Sequence, residues 1–225
     1  MSRSADRPKE VEAITATMDT FAERVQEWSV QLGRKLASHQ GSLSATAVDR
    51  IVKPDVELML ADPEANIAGG GFVAASGLLP SGGSFMAWWQ GESVDRVDAL
   101  ANLSMTAANR YLDADWYQGP VTTGRLTVTG PYIDMLCTDE FALTYTCPVT
   151  WPGAPTTTSV AGIDVTVADL EKILYRELAA LGPDAALINA EGRAIVTASP
   201  SELPGDFVNT DRTTWPLSHG LAVVV

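Results

Sequence analysis

The sequence predicts an α+β domain with a central antiparallel β-sheet, a long N-terminal helix and further helices packed on the sheet. Three patterns indicate this class: an apolar stripe of helical period near the N-terminus, a hairpin pattern over roughly 125–149, and a capped helix between strands. Adjacent strands joined by tight turns are typical of antiparallel sheets. The length of 225 residues suits one generous domain, or one domain with an appended helix.

The N-terminal helix is predicted from apolar residues that recur at spacings of three and four, from Val11 through Val25 to Leu32. The stripe has two compatible interpretations. It covers one face of the sheet, or it forms a coiled-coil contact between two chains and makes a homodimer. We assign residues 1–43 to this helix and residues 44–225 to the domain that follows it.

The rest of the chain alternates between strand and helix patterns. A second helix is predicted from Ser44 toward Asp62, ending or kinking at Pro54. A later helix, "VADLEKILYRELAALG", begins after a capping-box-like Thr166 and stops at Gly182. Strand patterns are "SFMAWWQG", "SVAGIDV", "AALINAEGRAIVTAS", which holds two strands, and "GLAVVV".

The glycines of Gly69-x-Gly71 invite a dinucleotide-binding interpretation, which the sequence does not support. The third glycine of that motif is missing, and no helix pattern follows.

The hairpin stretch "TGPYIDMLCTDEFALTYTCPV" contains the most unusual polar residues. Two apolar runs flank Asp139-Glu140, which we predict to be the turn. Tyr132 and Asp134 are two residues apart, so their side chains point to the same face of a strand. They are therefore candidate site residues, with a solvated sheet face as the alternative.

The net charge limits the classes of partner. The chain has 15 basic and 28 acidic residues and a formal charge of −13, so it lacks the basic footprint of a nucleic-acid binder and is repelled by anionic membranes. A cationic ligand is attracted by such a field, although solubility alone also explains an acidic surface. No apolar stretch approaches about 20 residues and no signal-peptide core is present, so we expect a cytoplasmic protein.

Metal and cofactor sites are not predicted. The two histidines are far apart in sequence, and no Cys-x-x-Cys or His-x-x-x-His spacing exists.

In order, "ADWYQGP", "GPYIDMLCTDEFALTYTCPV", "VAGIDVTVADLEKIL" and "AALINAEGRAIVTAS" resemble the Cache family of sensor domains. The resemblance covers about residues 66–198, and the helix at 9–39 has a counterpart there. It implies a PAS-like sheet preceded by a long helix. Its marks are those of the membrane-distal unit of double Cache receptors: Trp116-Tyr117, Tyr132-x-Asp134 and Gly162-Ile163-Asp164.

Two departures from the family matter. Most Cache domains are tethered by transmembrane helices, and the sequence has neither such a helix nor a kinase, cyclase or methyl-accepting segment. It is similar to stand-alone soluble members, which implies that its output passes through an unidentified partner protein or its own assembly.

The resemblance also implies a binding site. In the family, the Tyr-x-Asp pair and the later aspartate hold a ligand's ammonium group, which here assigns Tyr132, Asp134 and Asp164. Two carboxylates offset the charge of an ammonium group, and Trp116 offers a cation–π face. Trp116 and Tyr117, from the Trp-Tyr segment, are both assigned to the ligand-binding site. Four further residues are candidates for an aromatic wall, with plain core packing as the alternative: Phe85, Trp88, Trp89 and Tyr111.

The ligand class follows from a missing residue. Amino-acid-sensing members carry an arginine two residues before the tryptophan, and here that position is Ala114. This favours an amine without a nearby carboxylate, such as a biogenic amine, a polyamine or a quaternary ammonium compound. A sensor of an amino acid or small carboxylate that uses Arg110 or Arg125 remains open.

Two other classes compete with a sensor. Asp134 and Asp164 would suit a glycosidase acid/base pair, but no catalytic motif accompanies them, so we expect no enzyme activity. A protein that only assembles through its N-terminal helix would have its pocket filled by its own side chains.

Overall fold

The computed structural model describes residues 7–80, 82–97, 110–134, 140–152, 154 and 158–225. Its helices are α1 (Lys9–Ser38), α2 (Ala45–Leu60), α3 (Asp115–Thr123) and α4 (Val167–Leu181). The strands are β1 (Gly69–Ala74), β2 (Phe85–Gln90), β3 (Asp95–Arg96), β4 (Thr127–Ile133), β5 (Phe141–Pro148), β6 (Ser159–Thr166), β7 (Ala186–Ile188), β8 (Ala194–Thr197), β9 (Thr214–Pro216) and β10 (Ala222–Val224).

The main sheet contains six antiparallel strands in the order β3-β2-β1-β6-β5-β4. Its central pair, β1 and β6, is buried at every position. The register sets Gly69 opposite Asp164 and Gly71 opposite Gly162. The predicted α+β class, with its antiparallel sheet and long N-terminal helix, is confirmed.

The helices lie on both faces of this sheet. Helices α1, α2 and α4 pack on one face, and α3 packs against β4, β5 and β6. Strand alternation assigns α3 to the opposite face, because it contacts Trp88 and Thr146, whereas Ala87 and Tyr145 face the core with α1. The two faces therefore have separate clusters, and the one beneath α3 is smaller.

The apolar stripe of α1 is part of the domain's own core. Val11, Val25 and Leu32 are each 0% exposed and belong to one cluster with residues of α2, α4 and the sheet. The interpretation in which the stripe covers the sheet accounts for this burial. No described helix is long and apolar enough to cross a bilayer.

The ends of the helices follow their sequence signals. Ser44 accepts a hydrogen bond from Ala47 N–H, and Thr166 accepts one from Asp169 N–H, so both act as N-caps. Pro54 was expected to end or kink the second helix, yet α2 continues through it to Leu60.

The C-terminal strands form a second sheet, which the sequence analysis did not separate from the first. Its order is β8-β7-β10-β9, with all pairs antiparallel. It is joined to the main sheet beside β4, where Asn189 Nδ2 donates to the carbonyl of Gly130 at 2.8 Å.

The hairpin β4–β5 is present, but its pairing differs from the prediction. Tyr132 pairs with Ala142, and Asp134 N–H donates to Glu140 O at 2.9 Å. Glu140 therefore pairs with the end of β4 and is not the tip of the turn. Asp139 lies outside the described residues. An irregularity between Thr129 and Tyr132, with a cis Gly130-Pro131 peptide bond, lies within β4.

Candidate functional site

A small cavity lies on the α3 side of the main sheet. Its volume is about 20 Å³, which is room for about one water molecule. Five of the predicted site residues line it, together with two that were not predicted: Trp88, Trp116, Tyr132, Asp134 and Asp164, with Met86 and Thr144. Sequence positions from β2, α3, β4, β5 and β6 thus meet in one place.

Three glycines create the space for the Trp88 indole. A Cβ atom on Gly71 would lie 2.7 Å from Trp88 Cε3, one on Gly162 would lie 2.9 Å from Trp88 Cη2, and one on Gly69 would lie 3.2 Å from Trp88 Nε1. The indole therefore lies across β1 and β6 on a surface without side chains, which we call the glycine floor (Gly69, Gly71 and Gly162). The Gly69-x-Gly71 pattern serves close packing and not phosphate binding.

The position of Trp88 brings its N–H to the carboxylate of Asp164. Trp88 Nε1 donates to Asp164 Oδ2 at 3.0 Å, and Thr144 Oγ1 donates to Asp164 Oδ1 at 2.6 Å. Tyr132 Oη lies 2.5 Å from Thr144 Oγ1. Because the single Thr144 proton is used toward Asp164, the Tyr132 hydroxyl donates to Thr144. The chain Tyr132–Thr144–Asp164–Trp88 fixes one wall of the cavity.

The two carboxylates of the cavity are both buried. Asp164 is 2% exposed and Asp134 is 5% exposed. Burial, and next the nearby Asp134 carboxylate, raise the pKa of Asp164 to about 7, against the hydrogen bonds from Thr144 and Trp88, which lower it. A cation between the two carboxylates would relieve their repulsion and favour their charged forms.

Trp116 is held over the cavity by the start of α3. Its carbonyl accepts a hydrogen bond from Thr146 Oγ1 at 2.7 Å, and its ring packs on Trp88 with centroids 6.0 Å apart and planes tilted by 47°. With Tyr132, these indoles give the cavity an aromatic lining beside two carboxylates. Aromatic faces and carboxylates both attract organic cations.

Phe85 and Trp89 were predicted to share a wall with Trp88, and the structure corrects this. Successive side chains of a strand point to opposite faces, so Trp88 faces α3 while its neighbours at odd positions face the helical core. There, Arg96 stacks on the rings of Phe85 and Trp89 at 5.9 and 5.8 Å. Their role in the described structure is core packing.

Tyr111 and Tyr117 lie in the same cluster as Trp88 but do not line the cavity. The Tyr111 hydroxyl donates to Ser84 Oγ at 2.7 Å, and the Tyr117 hydroxyl donates to the Thr158 carbonyl at 2.9 Å. These hydrogen bonds fix the two rings within the cluster that contains Trp88.

Thr144 and Met86 were missed by the sequence analysis. Met86 is two residues from Trp88, so strand alternation alone places it on the same face. Thr144 required the register, since it is the direct partner of Asp164 across β5 and β6.

No arginine or lysine is among the residues that line the cavity within the described part of the chain. Ala114, at the position of the family's arginine, is the residue before α3. Arg125 is exposed, and the side chain of Arg110 lies outside what the structure describes. Among the described residues, no group of three or more His, Cys, Asp or Glu is arranged to hold a metal ion.

Comparison with solved structures finds sensory domains of chemoreceptors along nearly the whole chain. Methyl-accepting chemotaxis protein X is 18% identical over 96% of this chain and 95% of its own, with a TM-score of 0.64. The chain has the fold of a Cache-type sensory domain. Neither the protein-family models nor the curated proteins compared with the sequence give a match.

Two further Cache-type structures were determined with ligands. The ligand-binding domain of the Pseudomonas aeruginosa PAO1 amino-acid chemoreceptor PctC, in complex with GABA, is 19% identical over 96% of this chain and 93% of its own, with a TM-score of 0.56. The sensory domain of the Campylobacter jejuni chemoreceptor Tlp3, with isoleucine bound, is 14% identical over 96% and 83%, with a TM-score of 0.59. At these identities the likeness concerns the fold.

Proposed function

We propose that this protein is a small-molecule sensor that binds an organic cation of the amine type between Asp134, Asp164, Tyr132 and Trp116. The observation that carries the proposal is the burial of two neighbouring carboxylates in one aromatic-lined cavity, with no basic side chain among those lining residues that the structure describes. Two carboxylates this close together in a buried site repel each other, and a cation between them offsets this repulsion. An ammonium group supplies both the charge and the donors.

The solved structures support the sensory part of this proposal. The ligands bound in the PctC and Tlp3 structures, GABA and isoleucine, each carry an ammonium group. The output would pass to a partner protein, because a sensory domain needs a second component to report its ligand.

The cavity must enlarge for the proposed ligand to enter. Its volume of about 20 Å³ is far below the hundreds of Å³ typical of ligand pockets. Tyr132 is the half-buried member of the lining, and Trp116 lies on α3 rather than on the sheet. Movement of these two side chains would open the site while the Asp164–Thr144–Trp88 hydrogen bonds stay in place.

The small cavity also favours a second candidate, a protein that acts only by assembly and fills its pocket with its own side chains. The raised pKa of Asp164 favours the sensor over the assembly protein, since groups with strongly perturbed pKa values concentrate at functional sites. Catalysis is the weaker interpretation, because no catalytic motif accompanies the two aspartates in the sequence.

Thermal-shift screening against amines, amino acids and carboxylates, followed by titration calorimetry of the hits, tests the proposal. We expect amines to stabilise the protein, and Asp134→Ala and Asp164→Ala to weaken their binding at least about tenfold, since each removes a charged hydrogen-bond partner. Asp211→Ala, at an exposed aspartate of the C-terminal region, is the control. A carboxylate hit that survives both substitutions would contradict the amine site, and no hits would favour the assembly protein.

A further inference from the structure

A second, larger groove adjoins the candidate site on its outer side. Its volume is about 400 Å³. Trp116 and Tyr132 line both this groove and the inner cavity, so these two side chains form the partition between them. The outer groove adds Asp115 from α3 and, from the β7–β8 hairpin of the second sheet, Asn189, Glu191 and Arg193.

Arg193 is the basic residue that lines this groove in the described chain. Its guanidinium lies 4.0 Å above the Phe207 ring, and its Nη1 donates to the Gly205 carbonyl at 2.9 Å. Its Nε donates to Glu191 Oε2 at 3.2 Å. The stacking and the carbonyl contact hold the guanidinium in one orientation.

The guanidinium retains donors for a further partner. Arginine has five N–H donors, and within the described residues the two side-chain bonds above are those that Arg193 donates. The second Nη1 hydrogen and the Nη2 hydrogens form the edge that binds a carboxylate with two parallel hydrogen bonds. The ion pair with Glu191 is a weak competitor, because Glu191 is 70% exposed and exposed pairs contribute little.

We infer that the ligand is a zwitterion with separated charges: its ammonium group lies at Asp134 and Asp164, and its carboxylate binds Arg193 in the outer groove. This inference rests on the proposed function and names the second half of the same ligand. Because Trp116 and Tyr132 line both spaces, the chain of the ligand passes between these two side chains, and we expect its ammonium group and its carboxylate to be separated by several carbons. An ω-amino acid with a chain of several carbons fits both spaces.

Among the described residues that line the outer groove, Arg193 carries the positive charge that attracts the carboxylate of such a ligand. Asp115 and Glu191 are exposed carboxylates that repel a bound carboxylate, and their exposure means that solvent screens the repulsion. Removal of Glu191 therefore frees the guanidinium and removes a like charge at once.

The test is titration calorimetry with glycine, β-alanine, γ-aminobutyrate and 5-aminopentanoate, beside the matched amines propylamine and butylamine. We expect a chain-length optimum in the ω-amino acids and, at that length, binding about tenfold tighter than the matched amine. Arg193→Gln removes this preference and leaves the Kd of the amine within about twofold, whereas Glu191→Gln strengthens binding of the ω-amino acid.

Arg125→Gln, an exposed arginine outside both spaces, is the matched control and should leave every Kd unchanged. Thermal unfolding of the Arg193→Gln and Arg193→Lys variants checks that the second sheet stays folded. Amine binding without any preference for a carboxylate, a preference that survives Arg193→Gln, or tightest binding of glycine would each overturn the inference while leaving the proposed function standing. Failure of every amine and amino acid to bind would overturn both.

Discussion

At the scale of single residues, Asp164 has neighbours that act on its charge in opposite directions. Trp88 and Thr144 each donate a hydrogen bond to its carboxylate, which favours the charged form. Burial and the carboxylate of Asp134 oppose that form and raise the pKa of Asp164 to about 7. A proton and a ligand cation therefore compete for the same place near neutral pH.

The affinity for an amine should consequently depend on pH. Below the raised pKa, Asp164 is protonated and offers no charge, so we expect amine binding to strengthen from about pH 5 to about pH 8. Calorimetry across this range measures it. In Asp164→Asn the pH dependence should be much flatter, and equal slopes in the variant and the wild type would contradict the assignment of the titrating group.

The raised pKa of Asp164 also makes the stability of the folded state depend on pH. The folded pKa of Asp164 lies above its usual value of 3.8, so the folded state binds more protons than the unfolded state between these values. The contribution of Asp164 to stability is fully present below the usual pKa and is lost as pH rises toward about 7. The thermal stability of Asp164→Asn relative to wild type should therefore increase with pH over this window.

Sequence reasoning identified part of the site at this scale. The period of two in a strand was sufficient to join Tyr132 with Asp134, and both line the cavity. The same rule, applied to "FMAWWQ", places Trp88 on one face of the strand and Phe85 and Trp89 on the other. Thr144 escaped prediction because its role depends on pairing with Asp164 across two strands. A local sequence pattern does not predict which residues pair across two strands.

At the scale of elements, β1 and β6 supply the glycine floor on which the Trp88 indole lies. Gly162 pairs with Gly71, so two residues without side chains are adjacent in the sheet. Glycine in a strand interior weakens the strand but permits the close approach of another group. The glycine floor thus lowers the strand propensity of β1 and β6, but it makes room for the indole that donates the hydrogen bond to Asp164.

Gly162→Ala should damage both stability and binding. Its Cβ would lie 2.7 Å from Thr146 Cγ2 and 2.9 Å from Trp88 Cη2, an overpacking that costs about 1–3 kcal/mol of unfolding free energy. The displaced indole would also lose its bond to Asp164, which weakens amine binding. Chemical denaturation and calorimetry measure the two effects.

Gly83→Ala is the control, because no described atom beyond its chain neighbours lies within 4 Å of its Cβ position. It should change the unfolding free energy by less than about 1 kcal/mol. Equal stability of the Gly162 and Gly83 variants would show that the indole does not depend on the floor.

The strands and helices themselves were largely predictable, because apolar periodicity and caps at Ser44 and Thr166 are local signals. The division into two sheets was not. β7 and β10 pair across more than thirty residues of chain, and a tight-turn argument applies only to neighbouring strands. Pro54 shows the same limit, since Val52 and Val56, on either side of it in α2, are both buried in the core.

At the scale of the whole molecule, α1 joins the rest of the domain through one continuous core. The cluster that contains Val25 also contains residues of α4, of the main sheet and of the second sheet, such as Leu174, Ile163 and Val223. The homodimer through this helix stays a prediction, and it would have to use the side of α1 that faces away from this core.

The unfolding free energy of point variants distinguishes the two roles of the helix. Val25 is 0% exposed, and Val30, on the other side of α1, is 53% exposed. Val25→Ala should cost about 2 kcal/mol and Val30→Ala less than about 0.5 kcal/mol. Because Val25 packs within its own chain, its loss should not depend on protein concentration. A concentration-dependent loss would point to a contact between chains.

The central claim is that the buried carboxylate pair holds a cation, and a crystal structure with a bound amine tests it most directly. We expect the ligand nitrogen at about 2.7–2.9 Å from the carboxylate oxygens of both Asp134 and Asp164, with Trp116 and Tyr132 displaced to admit it. An amine bound elsewhere, or a ligand that presents an anionic or neutral group to the two aspartates, would contradict the account.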